Sequence, residues 1–268
     1  MEGYELDSGP YYANEDGSIL AFKGTSTARD NLPILAISLE LTSARYATDL
    51  PEMVDAALNI GLEQARDEGQ RLWKILEMQV DVRGAPERYL VFHVLQWADG
   101  GYELLAEELR KYLWWRALLL EARPDVATSR EIAKRYQLSS RELCSHSNTS
   151  VDFFRGARNG LPIEAKRYQF KESLTKMHPK LTVAINTALI QTQVQHPSIC
   201  KVYALHLERK TDQTGYYLYH ILEAMDRNVD MEIKRKDKNR PLSSAALWDF
   251  LQQTAEALAY AHSKVADI

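Results

Sequence analysis

Residues 89–99 read YLVFHVLQWAD, and residues 216–226 read YYLYHILEAMD. Tyr89, His93, Leu95 and Asp99 recur as Tyr216, His220, Leu222 and Asp226, each 127 positions later. An apolar strand with a buried histidine and a polar exit is written twice. Internal repeats decide a fold before any single element does.

The echo extends outward from this stretch. LWKILEMQVD (72–81) lies over ICKVYALHLE (199–208), again 127 apart. AALNIGLEQ (56–64) lies over VAINTALIQ (183–191), with Ala57/Ala184, Asn59/Asn186, Leu62/Leu189 and Gln64/Gln191 in step. NLPILAISL (31–39) echoes GLPIEAKRY (160–168) at an offset of 129, and YELDSGPYYANEDGSILAFKG (4–24) parallels YQLSSRELCSHSNTSVDFFRG (136–156) at 132. An offset drifting from 132 to 127 is what small loop deletions between fixed elements produce. The pattern predicts a first unit over residues 1–105, a helical connector over 106–135, a second unit over 136–233 and a helical tail over 234–268. A unit of about 100 residues is large enough to hold its own core, so tandem domains are expected rather than a solenoid.

Each unit reads as strand, strand, strand, helix, strand, strand. Asn159-Gly160 joins two strand runs as a hairpin, because that pair accepts positive φ. LTVAINTALIQTQV (181–194) has apolar residues at three- and four-residue spacing and predicts a helix, ended by His196-Pro197. The polar RKTDQT then divides two antiparallel strands.

Totals narrow the function classes. The 268 residues are 45% apolar and 26% charged, a globular composition. A net charge of −4 supplies no basic field for nucleic acid or anionic lipid. IKRKDKNR (233–240) reads as a solvated loop. Cys144 and Cys200 form no CxxC and no metal-ligand spacing, so free thiols in a reducing, cytoplasmic compartment are expected. The acidic, polar first thirty residues show no targeting signal, and the most apolar run, YLWWRALLLEA (112–122), is too short and too charged to span a bilayer.

With the element order in place, the chain resembles the N-terminal lobe of eukaryotic-type protein kinases, present twice. FFRG resembles that family's second strand and IEAK (163–166) its third, with Lys166 matching the nucleotide-binding lysine. QHPSI (195–199) resembles the turn after the family's αC helix. ILEAMD (221–226) resembles gatekeeper and hinge, with Leu222 as gatekeeper and Glu223 to Met225 as hinge. LWDFLQQTAEALAYAHSK (247–264) resembles the αE helix. The resemblance covers nearly all of 136–268; in the first unit it rests on the echo. It implies an α+β fold of two tandem units, each an antiparallel sheet with one long helix.

The chemistry that the resemblance implies is missing. Phosphoryl transfer needs a glycine-rich cover, a lysine held by a helix glutamate, a catalytic Asp and Asn, and a metal-binding Asp. CSHSNTSVDFF (144–154), where the glycine loop should fall, contains no glycine, so its backbone cannot approach phosphate closely. The helix glutamate position is Thr187, and no Asp or Glu occurs between Glu172 and Glu208. Lys166 is then either a strand lysine with its head in water or a residual anion or nucleotide contact. In the first unit the counterparts are Ile37 and Ile60, and replacing a buried ion pair by packed hydrophobes is often neutral. Gln64 and Gln191 stand where active kinases place an apolar spine residue, and Phe153 falls near the adenine-roof position, where a phenyl ring could fill the nucleotide pocket. No HRD or DFG occurs in the sequence, so no catalytic residue and no metal ligand is expected, and no cofactor beyond weak ATP.

Other signals have plainer readings. SREIAKRYQLSSREL (129–143) looks superficially like a helix-turn-helix, but its would-be reading helix carries Arg141, Glu142 and serines in a chain that is acidic overall, which does not fit DNA binding, and the first strand of the second unit explains it better. ELLAEELRKYLWWRALLLEAR (103–123) predicts a helix that is apolar nearly all round. It packs between the units or offers Trp114, Trp115 and Leu118 to a partner. His93 and His220 read as hydrogen-bonded core residues. The αE-like segment needs cover for Leu247, Phe250, Leu251, Ala255 and Leu258, expected from the first unit, the connector or another chain. The sequence therefore predicts a non-catalytic, kinase-like interaction or scaffold protein working through protein–protein contacts. The alternative is the front half of a Ser/Thr kinase with ATP at Lys166 and the 223–225 hinge and its C-lobe beyond Ile268; burial as a subunit of a larger assembly is a third reading.

Overall fold

The computed structural model describes residues 3–13, 17–42, 50–66, 73–83, 88–97, 132–139, 144–145, 151–170, 179–210, 215–224 and 243–266. In chain order the elements are β1 (Tyr4–Leu6), β2 (Tyr12–Ala13), β3 (Ile19–Ser26), β4 (Leu32–Thr42), α1 (Leu50–Arg66), β5 (Trp73–Arg83) and β6 (Arg88–Trp97). They continue as α2 (Ile132–Arg135), β7 (Cys144–Ser145), β8 (Val151–Arg158), β9 (Leu161–Phe170), α3 (Pro179–Gln193), β10 (Val202–Arg209), β11 (Tyr216–Glu223) and α4 (Ser244–Ala266).

The strands form two antiparallel sheets with one shared plan. The first runs β1-β3-β4-β6-β5 with β2 also on β3; the second runs β7-β8-β9-β11-β10. In each, a long helix follows the central strand, the last strand returns beside that strand, and the penultimate strand lies at the edge. Residues 31–41 and 160–170, whose likeness carried the repeat, fall largely on β4 and β9. The first sheet has six strands where five were expected, because β1 and β2 both pair with β3.

Local chemistry accounts for the joints. Asn159 (φ 52°) and Gly160 (φ 78°) both take the left-handed conformation of a two-residue hairpin, pairing Arg158 with Leu161. Gly24 and Gly156 are repeat equivalents with one role. A Cβ on Gly24 would lie 2.2 Å from the carbonyl oxygen of Glu5, and one on Gly156 would lie 2.3 Å from that of Tyr136. Their missing side chains let the preceding segment cross the sheet.

That crossing segment corrects one expectation. Tyr136–Leu138, where the first strand of the second unit was expected, is not strand; it follows a single helical turn, Ile132–Arg135, at the end of the expected helical connector, which Tyr136 N–H closes on the Ile132 carbonyl at 3.0 Å. Buried Ile132 and Tyr136 anchor it on the outer face of the second sheet. Strand-like bonding begins only afterwards: Ser139 N–H donates to the Arg155 carbonyl at 2.7 Å, as Asp7 N–H does to Lys23 at 2.9 Å.

The helices pack reciprocally. One apolar cluster draws Val54, Leu58 and Leu62 of α1 together with Leu181, Ile185 and Leu189 of α3 and the inner faces of both sheets. Burying each such leucine or isoleucine contributes about 1.5–3 kcal/mol. Both edge strands carry a bulge at the same repeat position, between Ile75 and Glu77 on β5 and between Val202 and Ala204 on β10. The bulges turn carbonyls outward, and side chains of the opposite unit's helix receive them. An edge strand so covered offers no free ladder to another chain.

Helix α4 differs. Residues 243–256 are all exposed. Leu247, Phe250 and Leu251 are 45–47% exposed, Leu258 55% and Trp248 72%. Of the three covers expected (the first unit, the connector or another chain), the described residues of the first unit leave this face exposed. The connector, the other candidate within the chain, lies outside the described residues up to residue 131.

Candidate functional site

Two places merit description: the inner face of the second sheet around Lys166, and the seam between the units.

Lys166 lies in register between Phe153 on β8 and His220 on β11. Its Nζ stands 4.8 Å from the Tyr168 ring centroid and 5.8 Å from that of Phe153. A cation over ring faces gains about 0.5–1 kcal/mol at accessible sites. Among the described residues no carboxylate pairs with it. Thr187, in the expected glutamate position, is exposed and turns its hydroxyl to the Val183 carbonyl at 2.8 Å.

His220 is buried beneath α3 with its ring 4.7 Å from that of Tyr168. Burial, reinforced by the Lys166 charge, pushes its pKa down to about 3, against the raising effect of its hydrogen bond to the Ala184 backbone. The ring is therefore neutral, and its Nε2 has no hydrogen-bond partner. The first unit resolves the same place differently. There Ala21, Ile37 and Leu39 stand where the second unit has Phe153, Lys166 and Tyr168, and all three are fully buried. Ile60 is buried in the same cluster. One unit closes this face with hydrocarbon; the other keeps a cation and aromatic rings.

The expected hinge is partly described. Leu222 is buried. Glu223 N–H donates to the Lys201 carbonyl at 2.8 Å, and the Glu223 carbonyl accepts the Cys200 thiol at 3.6 Å. Burial, then the charges of Glu164 and Glu223, push that thiol up to about 11, which leaves it protonated at neutral pH. Gln191 donates to the Cys200 carbonyl at 2.7 Å, so this side chain ties α3 to its own unit. Met225, the 146–150 part of the glycine-free loop, and Trp114, Trp115 and Leu118 lie outside the described residues.

The seam is built from repeat-related pairs that the sequence pattern exposed without explaining. Asn59 of α1 donates from Nδ2 to the Leu205 carbonyl at 2.7 Å and accepts Leu205 N–H at 2.9 Å. Asn186 of α3 accepts Met78 N–H at 2.8 Å; Met78 is the counterpart of Leu205. Arg66 donates to the Val202 carbonyl at 2.5 Å and to that of Tyr203 at 2.9 Å. Gln193 donates to the Ile75 carbonyl at 2.7 Å, the same bond in the other direction. The identity of Asn59 and Asn186 was the visible signal for this clamp.

One site breaks the symmetry. Asp55, buried on α1, accepts Leu207 N–H at 2.9 Å and the His206 Nδ1 hydrogen at 2.6 Å. With that hydrogen on Nδ1, His206 Nε2 accepts the Tyr136 hydroxyl at 2.6 Å. Burial raises the Tyr136 pKa, which keeps the hydroxyl a donor. The counterparts in the first unit are Gln79 and Tyr4; Gln79 and Tyr4 each donate to Glu77.

Among the described residues no group of three His, Cys, Asp or Glu side chains is placed to hold a metal, and no helix is long and apolar enough to cross a membrane. No protein-family model and no curated protein matches the sequence at a significant level.

Proposed function

We propose that this chain is a non-catalytic interaction protein built from two degenerate units like the N-terminal lobe of protein kinases. The observation that carries the reading is the exposed stripe of α4, with Leu247, Phe250, Leu251 and Leu258 beside Trp248. A contiguous apolar face of that kind marks a contact surface for protein. The shared sheet order, with a helix after the central strand, supports the kinase-like assignment. Lys166, which no carboxylate among the described residues pairs, and the glycine-free loop support a retired site rather than a working one. The units are 1–105 and 136–233, with 106–135 as connector and 234–268 as partner-facing tail. Protein, rather than nucleic acid or lipid, is the partner class, and the cytoplasm is the setting.

The test is the double substitution Leu247→Ser/Leu251→Ser. Side chains that already meet water change stability by no more than about 0.5 kcal/mol when replaced. The reading predicts an unchanged melting temperature and less association at high protein concentration. A loss of several kcal/mol would mean that the stripe belongs to the chain's own core.

A second reading, the front half of a Ser/Thr kinase, is favoured by Lys166 itself. The first unit has dispensed with a cation at this place and the second has not. In that reading Lys166, Leu222, Glu223 and Met225 hold ATP, and a C-lobe covers α4. The two readings part at nucleotide binding.

A further inference from the structure

The seat of α4 and the clamp between the units meet at a single turn. Among the described side chains of α4 from 244 to 263, all are exposed except Ala257, Tyr260 and Ala261, which are half-buried and share one face of one helical turn. The Tyr260 ring lies 5.3 Å from the His196 ring, at 37° to it. His196 stands in the turn that leaves α3, which is closed by Ser198 N–H donating to its Nδ1 at 3.1 Å and by Ile199 N–H donating to its carbonyl at 3.0 Å.

The first unit grips this same turn. Gln193 donates to the Ile75 carbonyl at 2.7 Å, and Gln195 donates to the Arg66 carbonyl at 3.2 Å. Arg66 in turn spans the bulge of β10 through the Val202 and Tyr203 carbonyls. Five elements converge within a few residues: the last turn of α1, the bulged starts of β5 and β10, the exit of α3, and α4.

We propose that the Gln193–His196 turn couples the clamp to α4, so that the first unit sets the seating of the helix that carries the exposed stripe. Tyr260 meets this turn at His196, while the Ile75 and Arg66 main-chain carbonyls hold it through Gln193 and Gln195, so loosening one contact loosens the turn that the others hold. By linkage, a protein that covers the stripe tightens the clamp by the same factor that the clamp favours its binding. This last consequence rests on α4 being the partner surface; the coupling itself does not.

Hydrogen exchange on the full chain tests the coupling without any partner. Tyr260→Ala removes the ring from α4 and leaves the turn intact. The expected result is exchange about threefold faster or more in α4, and also across the seam at 61–66 and 202–205. Gln193→Met, which removes the turn's bond to the Ile75 carbonyl, is the reverse arm, with faster exchange expected in 253–262. Gln195→Ala, at an exposed side chain, replaces it if that variant does not fold. Changes confined to the mutated side in both arms would overturn the proposal. Failure of the partner reading shows separately, as destabilisation in the Leu247→Ser/Leu251→Ser variant.

Discussion

Asn59 and Asn186 stand 127 residues apart and make the same bond in opposite directions: the Oδ1 of each accepts a main-chain N–H from the edge strand of the other unit, Leu205 at 2.9 Å and Met78 at 2.8 Å. An asparagine side chain has the donor and acceptor of a peptide group, so it can stand in for a neighbouring strand. The clamp is not equal in its halves. Asn59 also donates to the Leu205 carbonyl at 2.7 Å and to the Asp55 carbonyl at 2.8 Å.

Asn59→Ala should therefore cost more than Asn186→Ala. Net hydrogen-bond contributions near 1 kcal/mol, plus the stranded edge groups, predict losses of about 2–3 and 1–2 kcal/mol. Urea midpoints measure both. Because one core spans the units, each variant should still unfold in a single transition. Two separated transitions in the native chain would mean that the seam is not part of one cooperative core.

The crossing glycines give a second check. At Gly24 and Gly156 a methyl group would meet backbone oxygen, which cannot rotate away as a side-chain end can. Gly24→Ala and Gly156→Ala should each destabilise by about 1–3 kcal/mol, the range for overpacking. Gly160→Ala meets open space and carries only the cost of positive φ, about 1–2 kcal/mol. Thermal melts of the three variants would rank them, and Gly160→Ala should be the mildest.

His220 predicts a response to acid. The unfolded chain takes up a proton near pH 6.5, whereas the folded chain resists until about 3. Stability from this group is complete above pH 6.5 and falls as pH drops toward 3, by about 1.4 kcal/mol per unit at most. His220→Leu removes the titration, so its stability should vary less with pH between 6 and 4. An unchanged slope would place the acid sensitivity elsewhere.

Much of this architecture is legible in the sequence because local signals agree with the repeat. The Asn159-Gly160 turn, the spacing of α3 and the alternation of β11 each identify an element, and the offset places its twin. The seam was not legible. Asn59/Asn186 are conspicuous as a repeated pair, but which main-chain groups they serve depends on how two sheets meet, which neither sheet encodes alone. Arg66 and Gln193 differ in residue type, so their equivalence is invisible without their carbonyl partners. Tyr136–Leu138 misled for a local reason: a buried Ile132 and Tyr136 at four-residue spacing close a helical turn just before it, whereas its twin, Tyr4–Leu6, is strand. The exposure of α4 had no sequence signal, because its apolar spacing is that of a covered helix.

The central claim, that the Lys166 face is a retired nucleotide site, is tested most directly by titrating Mg-ATP into the full chain in a calorimeter, beside Lys166→Ala. The missing helix glutamate and glycine loop remove at least two charge-assisted contacts, each worth roughly 1.5–3 kcal/mol, which weakens affinity by about two to four orders of magnitude. No saturable heat up to about 1 mM ATP is the predicted result, identical in both proteins. Saturable micromolar binding in the native chain, abolished by Lys166→Ala, would contradict it and establish the kinase-fragment reading instead.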